Sequence, residues 1–205
     1  RGVLKMSSKK INNPWKVLSS KIVYESPFIK VQEDAVISPE GKEGIHNIVS
    51  YGKNSVGGIC VAAVDSSRNI YLVRQYRYAY GDYSLEVISG MLEEGIRPLK
   101  AAKTELAEEA GLTANLWKKM GVTDIGTESF KHQSHIYLAQ DLTKAPSAFI
   151  GENRMKVVKI PLTRAVGWVI NGKIHHTASA FTILLTEKVL EDYEFRTSVI
   201  PSERE

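Results

Sequence analysis

The stretch Gly90-Met91-Leu92-Glu93-Glu94-Gly95-Ile96, continuing through Pro98 to Thr104-Glu105-Leu106-Ala107-Glu108-Glu109-Ala110-Gly111-Leu112, decides how this chain is read. Its first half predicts a glycine-rich turn, and its second half a helix that opens at Pro98 and stops before Gly111. Proline has no amide proton to lose in a first helical turn, and glycine accepts the left-handed conformation just past a helix end. At about 100° per residue, Leu99, Ala102, Leu106 and Ala110 line up as the apolar stripe of a packed helix. Glu105, Glu108 and Glu109 fall within an arc of about 100° on the exposed side. Carboxylates this close repel one another, and a hard dication such as Mg²⁺, which takes oxygen ligands, relieves the repulsion. A solvated acidic helix face explains the helix equally well when it is taken alone, so the surrounding residues decide.

The segment resembles the Nudix box, whose pattern is Gly, five residues, Glu, seven residues, then Arg-Glu-apolar-any-Glu-Glu-any-Gly-apolar. Gly90, Glu105, Leu106, Glu108, Glu109, Gly111 and Leu112 stand at the required spacings. Ile96 stands where the pattern has its first Glu, and Thr104 where it has Arg. In the family those two residues support the loop–helix geometry and the metal-binding glutamates. Here both positions are uncharged, so neither charge is left without its partner. The departure bears on catalytic competence more than on the fold. Upstream, Val73-Arg74-Gln75-Tyr76-Arg77-Tyr78 and Leu85-Glu86-Val87-Ile88-Ser89-Gly90 are similar to the "RQYR" strand and "ExxAG" approach of the ADP-ribose pyrophosphatase branch. In weaker form the resemblance runs from about Trp15 to Leu190.

The resemblance implies an α/β (α+β) fold, a Nudix α/β/α sandwich with a small N-terminal antiparallel β-sheet extension. It implies metal-dependent hydrolysis of the pyrophosphate bond of ADP-ribose or a related nucleoside diphosphate sugar, giving a nucleoside monophosphate and a sugar phosphate. The cofactor it implies is Mg²⁺ or Mn²⁺, held by the Ser89 carbonyl, Glu105 and Glu109. Glu108 and Glu109 are the expected catalytic carboxylates of the helix. A general base is expected from a loop after the box, where strand register favours His132 but loop composition and flexibility favour Glu128, and Glu128 is the residue expected. Arg77, Glu86 and Tyr76 are the expected substrate-side residues, and an Arg77–Glu86 salt bridge is the plainer reading of the first two. Tyr76, Tyr78 and Tyr80 alternate as on a strand, which would give one face for stacking or packing. A homodimer is also implied. The competing expectation, motivated by Ile96 and Thr104, is a catalytically weakened Nudix domain that binds a nucleotide sugar as a sensor.

Composition agrees with a globular chain. Its 205 residues fit one large domain with a small extension. The expected division is a basic tail over 1–14, a β extension over 15–51 that serves dimerisation, and the Nudix domain over 52–198. Six of the 27 basic residues lie in the first 21 positions, which hold no acid, leaving 21 against 23 acidic residues beyond. The body is therefore slightly acidic, and nucleic-acid binding is not expected. No apolar run approaches the roughly 18 residues of a membrane span, and no secretory leader is read at the start. The single cysteine, Cys60, lies in the run Gly58–Val64 and reads as a buried thiol in a reducing cytoplasm.

Among the elements, Phe28–Val31, Ile48–Tyr51, Gly57–Asp65, Ile70–Tyr76, Ser134–Ala139 and Lys156–Ile160 read as strands, and Leu162–Ile170 and Thr177–Phe195 as helices. Ser38–Gly41 and Asp65–Asn69 read as turns. The adjacent histidines His175 and His176 cannot share one face of a regular element and read as loop residues.

Overall fold

A computed structural model describes residues 12–51, 55–146 and 155–199, with side chains as far as Asp192. Residues 1–11, most of the expected basic tail, lie outside the described residues. The chain divides into two compact units, residues 1–53 with 127–131, and residues 54–126 with 132–205.

The first unit is a four-stranded sheet in the order β1 (Lys16–Glu25), β2 (Ile29–Ile37), β3 (Glu43–Tyr51) and β8 (Phe130–Lys131). β1 to β3 are antiparallel neighbours, and β8 adds to β3 in parallel. The break expected at Ser38–Gly41 is the β2–β3 hairpin turn, where Gly41 adopts φ +81° and donates its amide proton to the Ser38 carbonyl. β1 is exposed along its whole length, and Val17, Leu18, Ile22 and Val23 face solvent.

The second unit is a six-stranded sheet in the order β10 (Lys156–Pro161), β5 (Asn69–Arg77), β6 (Asp82–Glu93), β4 (Ser55–Val64), β9 (Gln133–Lys144) and β7 (Leu112–Asp124). β4 is central, and its residues Gly57–Val64 are buried without a break, as befits a strand covered on both faces. Alternation along it feeds two cores. Ile59, Val61 and Ala63 pack with Ala101, Ala102 and Leu106 of helix α1 (Pro98–Ala110). Cys60, Ala62 and Val64 pack with Leu162 and Ala165 of α2 (Leu162–Ile170) and Ile183 of α3 (Thr177–Val199). The unit is therefore an α/β/α sandwich.

Three local readings are corrected. Gly90–Glu93 is the end of β6, not a turn, and only residues 94–97 connect it to α1. The buried stripe of α1 is Ala101, Ala102, Leu106 and Ala107, while Leu99 is exposed. The helix is thus rotated from its expected seating, which brings Glu105 and Glu109 partly inward. β5 ends at Arg77, so Tyr78 and Tyr80 lie in a turn closed by Gly81 at φ +75°, not on a strand face. The strand β7, which fills the gap between α1 and the following loop, had no expectation attached to it.

Candidate active site

β6 changes partner midway. Through Asp82–Val87 it pairs with β5, and through Ile88–Glu93 with β4. At the change the Val87 amide donates to Ser179 Oγ of α3, at 3.0 Å. Glu86, Ser89 and Gly90 flank this point, so the expected site residues are gathered where the sheet opens.

On one side stands α1. Pro98 begins it without a side-chain cap, and Gly111 ends it in the left-handed conformation at φ +64°, donating to the Ala107 carbonyl. The last turns lay two carboxylates over β6. Glu109 Oε2 accepts the Ser89 amide proton at 3.0 Å. Glu105 lies over Gly90 so closely that a Cβ there would overlap its carboxylate and sit 2.8 Å from its Cγ. Burial, then the charge of Glu108, pushes the Glu105 carboxyl up to about 7. Burial pushes Glu109 up to about 7 as well, with the Ser89 amide pulling it down and the charge of Glu105 pushing it further up. Glu108 sits on the exposed flank.

On the other side lie Arg77 and Glu86. The Arg77 guanidinium grips Glu86 with both Nε, at 2.9 Å to Oε1, and NH2, to Oε2. Glu86 is only 1% exposed. Burial alone would raise its pKa, but hydrogen bonds from Arg77 and Ser84 and the nearby charges of His176 and Arg77 hold it below the ordinary carboxylate range. The salt bridge expected as the plainer reading of Arg77 is therefore present. Its grip leaves guanidinium N–H groups over for another anion, since five donors meet two oxygens. Tyr76 rests edge-on against Tyr83 at 5.6 Å.

His176 was expected to be only a loop residue. It is in a loop, but its Nδ1 lies 2.8 Å from Ser179 Oγ and 3.6 Å from Glu86 Oε2. Its neighbour His175 meets the Tyr80 ring at 4.9 Å. A pair of histidines before a helix was the only sequence sign of this wall, and nothing in their spacing points to a partner 90 residues away. Glu128 is exposed in the segment 127–131, which groups with the first unit. His132 belongs to the second unit, where its Nε2 meets Ser134 Oγ at 3.1 Å. Cys60 is buried, and that burial pushes its thiol up to about 11, the state of an inert core residue.

The two departures from the box pattern lie at one cleft. It has a volume of about 280 Å³, and Ile96 and Thr104 line it together with Met91, Lys100, Glu105 and Glu108. Glu105, Glu108 and Glu109 offer hard oxygen donors, a chemistry that fits a hard dication, and the raised pKa values of Glu105 and Glu109 mark carboxylates that lack a compensating positive charge. Among the described residues no three acidic, histidine or cysteine side chains are already closed into a ligand set.

Comparison with known proteins identifies the family and the fold. Residues 54–159 match the NUDIX domain model, and residues 15–49 match the nucleoside diphosphate sugar hydrolase N-terminal domain. The chain belongs to the NUDIX family, and it is a Nudix-type hydrolase. An ADP-ribose pyrophosphatase of Mycobacterium tuberculosis is 27% identical over 178 residues, covering 85% of this chain and 84% of that protein. A methanol dehydrogenase activator of Bacillus methanolicus is 23% identical, covering 82% and 90%. An ADP-sugar pyrophosphatase of Mus musculus is 28% identical over 102 residues, covering 46% and 47%. Among solved structures, an ADP compounds hydrolase superposes with a TM-score of 0.75 at 19% identity, covering 87% of this chain and 95% of that one. That likeness bears on the fold. Hydrolases of this family generally use divalent metal ions.

Proposed function

We propose that the protein hydrolyses the pyrophosphate bond of ADP-ribose or a related nucleoside diphosphate sugar, releasing a nucleoside monophosphate and a sugar phosphate. The observation that carries this reading is the placing of Glu105 and Glu109 over Gly90 and Ser89, at the point where β6 opens toward Arg77. A metal-binding group and a phosphate-binding cation then face the same opening. The printed functions of the Mycobacterium tuberculosis and mouse relatives support the substrate class.

The Ser89 carbonyl, Glu105 and Glu109 would hold Mg²⁺ or Mn²⁺, with Glu108 beside them. When bound, the metal neutralises phosphate oxygens and lowers the pKa of water. Arg77 binds and orients the diphosphate through the donors that Glu86 leaves over. Tyr76 supplies an aromatic face on the same hairpin. The proton of the attacking water passes to a carboxylate, Glu108 on α1 or Glu128 in the later loop. The exposed apolar strand β1 favours a homodimer built on the first unit. A cytoplasmic setting suits the single reduced cysteine. Among the described residues no helix is long and apolar enough to cross a membrane.

A second reading is favoured by Ile96 and Thr104, which leave the cleft beside Glu105 and Glu108 without the charged pair of the family pattern. On that reading the domain binds a nucleotide sugar without cleaving it. One assay separates the two. ADP-ribose, nucleotide sugars, dinucleotides and nucleoside triphosphates are incubated with Mg²⁺, with Mn²⁺ and with chelator, and monophosphate release is measured. Metal-dependent cleavage of one class, abolished by Glu109→Gln, supports the hydrolase. Binding without cleavage supports the sensor. Glu108→Gln and Glu128→Gln, assayed in parallel, decide which carboxylate takes the proton.

A further inference from the structure

We propose that His176 is a positioning residue of this site, acting through the Glu86 carboxylate to set how far the Arg77 guanidinium reaches toward an anionic ligand. The inference rests on the reading of Arg77 as a diphosphate-binding residue, but its physical core, the coupling of His176 to Arg77, does not.

Proton accounting fixes the resting arrangement. Ser179 is fully buried, and its oxygen already accepts the Val87 amide proton. Its own hydroxyl proton needs an acceptor, and among the described contacts that acceptor is His176 Nδ1 at 2.8 Å. Neutral His176 therefore carries its proton on Nε2, and its Nδ1 offers nothing to Glu86. In this state both oxygens of Glu86 serve Arg77.

Protonation changes the arrangement. Nδ1 becomes a donor, and the nearest acceptor besides Ser179 is Glu86 Oε2, 3.6 Å away. That oxygen is the one that Arg77 NH2 holds. Imidazolium and guanidinium then share a single carboxylate oxygen, and the hold of Glu86 on the Arg77 NH2 arm is weakened. The half-exposed guanidinium, with 45% of its side chain open to solvent, is then freer toward the opening of the sheet. The groups that face His176 are Glu86 on β6, Arg77 on β5 and His175 beside it. Burial and the charges of Arg77 and His175 disfavour the imidazolium, while Glu86 favours it. The charge of Glu109 on α1 also reaches Arg77 and Glu86. An anion arriving at Arg77 adds to the favouring side, so ligand binding and His176 protonation reinforce each other.

The test uses the full chain. The Arg77 Nε–H signal and the His176 ring signals are followed by NMR from about pH 5 to about pH 9, across the range in which imidazoles titrate, with and without inorganic pyrophosphate. The Arg77 signal is expected to shift with the His176 midpoint, pyrophosphate is expected to raise that midpoint, and His176→Gln is expected to abolish the linked shift. In the same variant KM for the cleaved diphosphate is expected to rise roughly fivefold, the size of one lost hydrogen bond, with a smaller change in kcat and a flattened pH dependence of kcat/KM. Ser179→Ala, which removes the acceptor arrangement but keeps the imidazole, is expected to raise the His176 midpoint. An Arg77 signal indifferent to His176 overturns the proposal, as does an unchanged KM and pH profile in His176→Gln. Linked signals in a protein that cleaves no diphosphate support the coupling and count against the hydrolase reading alone.

Discussion

The carboxylate of Glu105 occupies the space in which a side chain at Gly90 would begin. The backbone at Gly90 lies outside the left-handed region, so the glycine is needed for room and not for its torsion angles. The atoms in the way are the far end of a flexible side chain, which can swing aside. Gly90→Ala is therefore expected to fold with nearly unchanged stability while losing activity by about a hundredfold, the scale of an ångström-sized misplacement at a reacting centre. Thermal unfolding and metal-dependent turnover, measured on one preparation, test this. A large drop in unfolding temperature would show that Gly90 serves the fold instead.

Gly57 has the opposite character. Its φ of +151° is one that side chains rarely adopt, and a Cβ there would overlap the Gln133 carbonyl oxygen, which is backbone and cannot swing aside. Gly57→Ala is expected to cost about 3 kcal/mol through overpacking and backbone strain, with any loss of activity following the loss of folded protein. Urea unfolding gives the number, and a cost below about 0.5 kcal/mol, the range of an ordinary surface substitution, would contradict the clash.

Stability without metal should depend on pH through Glu105 and Glu109. Their folded-state pKa values, about 7, lie above the ordinary 4.5. Between those values the native protein holds protons that the unfolded chain has released, so stability falls as pH rises. The contribution is full below about 4.5 and is lost once pH passes about 7. A divalent cation, which binds the ionised carboxylates, reverses the trend at neutral pH and above. Unfolding temperatures from pH 4 to pH 8, with chelator and with Mn²⁺, test the sign. The slope should flatten in Glu105→Gln/Glu109→Gln, and an unchanged slope would place the titrating groups elsewhere.

The residues that announced themselves did so through local chemistry. Pro98 and Gly111 marked the ends of α1, and the unbroken apolar run of β4 marked the strand at the centre of the sheet. The periodicity of α1 misjudged its seating because alanines fit either of two neighbouring faces. Ala101 and Ala107 go inside and Leu99 stays out, which no count of apolar spacing distinguishes. Tyr78 and Tyr80 were carried onto a strand because alternation does not register where a turn begins, and Tyr78 is 94% exposed in that turn. His176 was invisible for a deeper reason. Its partners Glu86 and Ser179 are brought to it by the packing of α3 against the point where β6 changes partner, and one-dimensional spacing carries no record of that.

Arg77 and Glu86 provide the sharpest test of how the buried charge is held. Arg77→Met leaves a carboxylate that is 1% exposed without its main counter-charge. The expected loss is about 2 kcal/mol, below the range for fully buried pairs because the guanidinium is itself half exposed. Glu86→Gln removes the charge but keeps the shape, and in the Arg77→Met background it is expected to recover most of that loss. The two substitutions are then strongly non-additive, with a coupling of about 1 kcal/mol or more. Neither single variant is expected to bind diphosphate normally, since each disturbs the cation at the opening of the sheet. A double-mutant cycle by urea unfolding measures the coupling free of activity. Additive costs would mean that His176 and Ser84 hold Glu86 without help from Arg77, and the guanidinium would then be free for substrate at every pH.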